Sequence, residues 1–127
     1  MTQSLESGGE RDGETRRASA GPRLPSRLSP IDLVHLAHQT AGDRALEAEV
    51  IGLLIAQIDR ARPAIERAGP TERSRLAHAL KGAARNLGAF RLAEAAEDLE
   101  RDPALPSVVR AFLDELDRTG RFAREIA

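Results

Sequence analysis

The chain contains no cysteine, no tryptophan and no tyrosine. Without cysteine there are no disulfides and no thiolate metal sites, which fits a reducing compartment. Three Phe are the only aromatic residues, so stacking platforms for single-stranded nucleic acid are poorly supplied. An excess of one charge is also missing. A net charge of −1 leaves no footprint for a polyanion. No apolar run approaches the ~20 residues that span a bilayer, and the N-terminus carries no apolar segment of the signal-peptide kind. The resulting expectation is a cytoplasmic protein that binds neither nucleic acid nor membrane. The modest apolar content favours a monomer.

What is present favours helix. Ala, Leu, Arg and Glu dominate the 127 residues, and all four are tolerated well or better in helices. That length sets a prior of one domain. Gly and Pro gather at the tails and junctions, where they punctuate helices. Residues 1–28 are rich in Ser, Gly, Arg and Glu with no apolar periodicity, and read as a disordered tail. Arg16, Arg17 and Arg23 in it read as solvated charges. The folded domain is expected over residues 29–127.

Ser29-Pro30-Ile31-Asp32 resembles a helix start, with Ser as N-cap, Pro at N1 and an acid at N3. Leu33, Leu36, Ala37 and Thr40 would share one face of this short helix, and Gly42-Asp43 would end it. A second helix is expected from about Arg44 to Arg67. Its apolar face would carry Leu46, Val50, Leu53, Leu54, Gln57, Ile58, Ala61 and Ile65, with Pro63 kinking or shortening it. The third runs from about Thr71 to Leu87, with Gly88 at the C′ position. The fourth runs from about Phe90 to Arg101, burying Leu92, Ala95, Ala96 and Leu99. Asp102-Pro103 and Pro106 separate it from a fifth, about Ser107 to Ala123, with Val109, Phe112, Leu116 and Ala123 on one face. No strand pattern or internal repeat occurs. Short connections imply antiparallel neighbours, so the expected fold is all-α: an antiparallel up-down four-helix bundle with an additional short N-terminal helix.

The chemistry gathers on the third helix. At about 100° per residue, Leu76, Leu80, Ala83, Ala84 and Leu87 form an apolar stripe, and His78 falls almost opposite it. Gly82 and Arg85, at i+4 and i+7, share the exposed face with His78, and Lys81 flanks it. An exposed imidazole is a neutral nucleophile over much of the physiological pH range. Cations beside it can hydrogen-bond phosphoryl oxygens once it is phosphorylated. Phosphoryl transfer asks mainly for positioning and charge compensation. Gly82 costs helix stability of roughly 0.5–1 kcal/mol relative to Ala; it either clears space for a partner's active site, packs closely against an adjacent helix, or reflects neutral drift. Of the 19 basic residues, 18 are Arg. The single Lys lies one helical turn from His78, and a compact ammonium suits a crowded phosphate site differently from a guanidinium. His35 and His38, three apart on the first helix, could span a metal. With no third ligand in view, surface or structural roles are expected for them.

The segment AHALKGAARNLGAFRLAEAAEDLE, residues 77–100, resembles the signature of the histidine phosphotransfer (HPt) family, roughly H-x-x-K-G-x5-G-x2-R-L-x6-L-E. His78, Lys81, Gly82, Gly88, Arg91, Leu92, Leu99 and Glu100 match it. The segment IDLVHLAHQTAGDRALEAEVIGLLIAQ resembles the family's first two helices, and the likeness extends over roughly residues 30–120. It implies that His78 accepts a phosphoryl group from the aspartate of a receiver domain and passes it to another, in a multistep phosphorelay with response-regulator receivers and a (hybrid) histidine kinase. Lys81 would stabilise the phosphorylated ring, and Gly82 would leave room for the receiver. Glu100 falls at a position that often carries Gln or Glu near the active His. It would orient the ring through Nδ1, or else form an exposed i,i+3 or i,i+4 ion pair. Arg85 joins the set on helix geometry alone. Gly88 and Arg91 are expected to serve the turn and the surface. No cofactor of the chain's own is expected, and Mg2+ would come with the receiver. The alternative is a binding module that docks a receiver or kinase without carrying phosphate. The initiating Met, the polar head and the lack of an ATP-binding segment suggest a complete small protein, a phosphotransfer intermediate rather than a stand-alone enzyme.

Overall fold

The computed structural model describes residues 29–127, so the tail expected over 1–28, with its arginines, lies outside the described residues. Five helices follow: α1 Leu33–Gln39, α2 Arg44–Arg67, α3 Pro70–Asn86, α4 Phe90–Arg101 and α5 Pro106–Ile126. No strand occurs among the described residues. Helices α2 to α5 form a ring in chain order, each packing on its two neighbours, and α3 on α4 is the most extensive pair. The short connections make this an up-down four-helix bundle. Its core joins Ile51, Leu54, Ile58 and Ile65 of α2 to Leu80 of α3, Leu92 and Leu99 of α4, and Phe112 and Leu116 of α5.

The short helix α1 starts later than expected. Asp32, not Ser29, is its N-cap, accepting from the Val34 and His35 amides at 3.0 and 3.2 Å. The cause is the preceding residue. Ile31 is buried in the core, and the Asp32 amide donates to the Gly88 carbonyl at 2.9 Å. These anchors hold the entering chain extended and lay α1 across the α3–α4 turn. Leu36 and Thr40 face inward as expected, but Leu33 is exposed.

The expected start of α2 is found, with Asp43 capping the Leu46 amide at 3.0 Å. Leu54, Ile58 and Ile65 are buried as expected, but the edge of the face differs. Ile51 is in the core, whereas Leu46 is exposed and Leu53 is 64% exposed. Pro63 lies on the exposed side and does not end the helix, which runs on to Arg67. A missing hydrogen bond on the solvent face is cheap because water can satisfy the freed carbonyl.

Two devices close the ends of the bundle. Gly88, at φ +83°, ends α3 in a Schellman turn, with Ala89 N–H donating to Ala84 O at 2.9 Å and Gly88 N–H to Arg85 O at 3.3 Å. A Cβ there would sit 2.9 Å from the Asp32 carbonyl oxygen, so glycine is required by backbone and neighbour alike. At the other end, Arg73 donates to the carbonyls of Ile65, Ala68 and Pro103 at 3.0, 2.8 and 3.0 Å. One guanidinium thus satisfies the open end of α2 and ties it to the α4–α5 loop. Arg73→Ala should lower stability by about 2–3 kcal/mol, as expected for losing charge-assisted bonds at a partly buried site, read as a lower urea midpoint with an unchanged slope.

Candidate phosphoacceptor site

His78 lies at mid-α3 with its side chain 68% exposed. Its helix is fixed from behind by buried Ala77, Leu80 and Ala84, so the ring projects from a rigid rod. Across the α3–α4 seam, Glu100 occupies the last full turn of α4. Its Oε2 is 2.7 Å from His78 Nδ1, and its Oε1 accepts from Lys81 Nζ, also at 2.7 Å. One carboxylate therefore bridges the imidazole and the ammonium. Of the two roles open to Glu100, contact with Nδ1 is the one observed, and the ion pair it makes crosses between helices. Ser74, one turn before His78, donates to the Glu100 carbonyl oxygen at 2.8 Å. It was not singled out from the sequence, although a hydroxyl at i−4 from His78 is its only local signal.

The electrostatics follow from this bridge. The Lys81 hydrogen bond holds the Glu100 carboxyl below the usual glutamate range; partial burial opposes the shift and the His78 contact adds to it. Glu100 is therefore ionised at neutral pH and can only accept. The Nδ1 atom must donate, so that in the neutral form of the ring the lone pair is on Nε2. Because the folded-state value lies below the unfolded one, the contact stabilises the fold above the ordinary glutamate range. That contribution is lost as pH falls through the lowered value.

The expected cations are present but engaged. Lys81 has only 17% of its side chain exposed, so it lies along the α3–α4 seam instead of standing free beside the ring. Arg85, one turn beyond Gly82, reaches Glu97 of α4 at 3.4 Å. Sequence periodicity could place both near His78 but could not reveal the acids of α4 that meet them. A Cβ on Gly82 would meet nothing within 4 Å. Close helix packing therefore does not account for this glycine, which lies on an open face of α3.

The remaining motif residues lie elsewhere. Gly88 makes the turn described above. Arg91 reaches across to the nearly buried Glu115 of α5 at 3.7 Å, so it ties α4 to α5 and is more than a surface residue. Leu92 and Leu99 are core. His35 lies apart from His78; its Nε2 is 3.0 Å from the Asn86 carbonyl oxygen and its ring meets Phe90 edge-on at 5.2 Å. Here it serves to dock α1. Among the described residues no three His, Cys, Asp or Glu side chains gather as metal ligands, and no helix is long and apolar enough to cross a membrane.

The sequence matches the protein-family model described as Hpt domain over residues 49–121. No curated protein and no solved structure matches it.

Imidazole 15N spectra at neutral pH should show the Nδ1–H tautomer of His78. In Glu100→Ala the ring should revert toward the Nε2–H form that an isolated neutral imidazole favours. An unchanged tautomer in that variant would mean that Glu100 does not hold the ring.

Proposed function

Because the chain belongs to the Hpt domain family, with a phosphotransfer role in two-component phosphorelay, we propose that His78 is the residue that carries the phosphoryl group, through Nε2. The observation that supports this most directly is the bridge of Glu100 to Nδ1. It leaves a single nucleophilic nitrogen, on an exposed ring that faces solvent from a rigid helix. The group would come from the aspartyl phosphate of one receiver domain and leave to the aspartate of another, with a histidine kinase upstream. The chain acts as a cytoplasmic monomer in this reading.

The in-line displacement needs little from the carrier besides position. Nε2 attacks phosphorus while the aspartyl oxygen leaves with its electron pair. The receiver is expected to bring the aspartate and the Mg2+ ion. Gly82 admits the receiver's rim beside the ring. Lys81 and Arg85 turn from their glutamates toward the phosphoryl oxygens as charge arrives. Exposed Leu46 and Leu53 along α2 offer apolar contact to a partner.

Phosphotransfer from a radiolabelled, phosphorylated receiver with magnesium tests the assignment. Label should appear on the wild type and be absent from His78→Gln. Label retained by that variant would overturn the site. Lys81→Ala should slow transfer more than it weakens receiver binding, and the opposite ordering would contradict its role. Binding without transfer in the wild type would favour a docking module instead.

Gly82→Leu offers a separate check. It should leave the fold intact and more stable by about 0.5 kcal/mol, since glycine is costly within a helix. Transfer should nevertheless slow by about tenfold or more, equivalent to ~1.4 kcal/mol of lost transition-state stabilisation. Unimpaired transfer would show that the space at Gly82 is not used.

A further inference from the structure

The carboxylate on the back of the ring bears on what happens after the phosphoryl group arrives. When Nε2 forms its bond to phosphorus, the bond from phosphorus to the aspartyl oxygen breaks and its electron pair stays on the receiver's carboxylate. The ring then carries phosphorus on Nε2 and hydrogen on Nδ1, and is a phosphoimidazolium. Loss of the Nδ1 proton would give the neutral phosphoimidazole, from which phosphorus departs less readily because imidazolide is the poorer leaving group. In the structure Nδ1 itself lies 2.7 Å from Glu100 Oε2, and its proton is shared with that carboxylate oxygen as donor to acceptor. An anion at that distance favours the protonated ring.

Resting on the phosphotransfer reading, we infer that Glu100 keeps the Nδ1 proton on His78 throughout the cycle and so holds the phosphoryl group in its readily transferred, short-lived form. Outward transfer then balances without any proton crossing the interface. The Nε2–phosphorus bond breaks, its pair returns to Nε2, and the neutral ring is left with the same Nδ1 proton it began with. Glu100 is a positioning residue here, since it acts through the ring and not on phosphorus. It also competes with the phosphoryl oxygens for Lys81, whose ammonium it already binds at 2.7 Å. Both effects shorten the life of the phosphorylated state.

The charged groups around the ring come from two helices. Lys81, Arg75 and Arg85 lie on α3, and Glu97 and Glu100 on α4. Arg75 is paired with Glu72 on its own helix, and Arg85 with Glu97. Glu100 alone among them touches the ring. Asp98, paired with Arg101 at 2.7 Å on the exposed side of α4, provides a control for the general field of that helix.

The test uses the whole chain phosphorylated with phosphoramidate, with phosphorus NMR following hydrolysis of the phosphohistidine across pH and nitrogen NMR reporting the Nδ1 proton. In Glu100→Gln the amide oxygen can still accept from Nδ1, so orientation is kept, while the charge and the second acceptor that holds Lys81 are both removed. Its hydrolysis profile should shift to lower pH by about one unit, the size expected of a single charge partner, and the phosphorylated protein should outlive the wild type at neutral pH. Asp98→Asn should follow the wild type. Coincident profiles for wild type and Glu100→Gln, or an equal shift in Asp98→Asn, would overturn the role of Glu100 while leaving His78 as the carrier. A wild type that takes no phosphoryl group on His78, from phosphoramidate or from any phosphorylated receiver, would overturn the phosphotransfer reading and this inference with it.

Discussion

The close packing of α3 on α4 is the constraint from which the site follows. The buried faces of these two helices are largely alanine: Ala77 and Ala84 on one, Ala93 and Ala96 on the other. Small side chains let two helix axes approach closely, and that approach brings the end of α4 within reach of mid-α3. Glu100 can then span to both His78 and Lys81 with ordinary hydrogen-bond lengths. Ser74 holds the Glu100 backbone in register from the α3 side, and the Schellman turn at Gly88 sets where α4 begins. A larger residue at any of the four alanines would push the helices apart and stretch the bridge before it touched the imidazole.

The helix that carries His78 is tied at both ends by polar contacts that cross between elements. Arg73 binds three backbone carbonyls near its start, and α1 clasps the turn at its end through Asp32, His35 and Gln39. The extra N-terminal helix thus acts as a brace on the α3–α4 corner. On the opposite side of α4, the pairing of Arg91 with Glu115 performs a similar service toward α5.

Much of this was legible in the sequence, and the reasons are physical. Helix starts with Asp, Pro or Gly signals were placed within a residue or two for α2 to α5, because caps act locally. The exposed His78, Gly82 and Arg85, with Lys81 flanking them, followed from helical angle alone. Periodicity placed Leu54, Ile58 and Ile65 of α2 correctly and erred at its edge, where Leu46 and Leu53 fit the apolar pattern yet face solvent and Ile51 lies in the core. A 24-residue helix presents more than one apolar stripe, and only its neighbours decide which is covered. The start of α1 was misread because Ile31 is held by tertiary burial that no local signal announces. Arg73 was missed for the same reason: an arginine in a charged helix gives no sign that its partners are carbonyls up to thirty residues away. The bridge at Glu100 was visible only as one of two options, since sequence cannot say which acid of α4 meets which cation of α3.

The arrangement of charge suits a carrier more than a store. Each cation near His78 has an acid partner in the resting structure: Lys81 with Glu100, Arg85 with Glu97 and Arg75 with Glu72. A phosphoryl group on His78, as proposed, would bring a charge of about −1.5 to −2 at neutral pH and would have to draw these cations away from carboxylates that remain beside them. Unit charges 4 Å apart interact by about 1 kcal/mol in bulk water and about 4 kcal/mol near a protein surface. At a ring so exposed the balance lies toward the lower figure. A difference of that size cannot forbid phosphorylation, yet ~1.4 kcal/mol is a factor of ten in an equilibrium. Pre-paired cations therefore leave the phosphorylated state neither deeply stabilised nor inaccessible. In the proposed function, a group taken from one aspartate and surrendered to another requires that balance, and unpaired lysines or arginines around the same histidine would hold it too tightly.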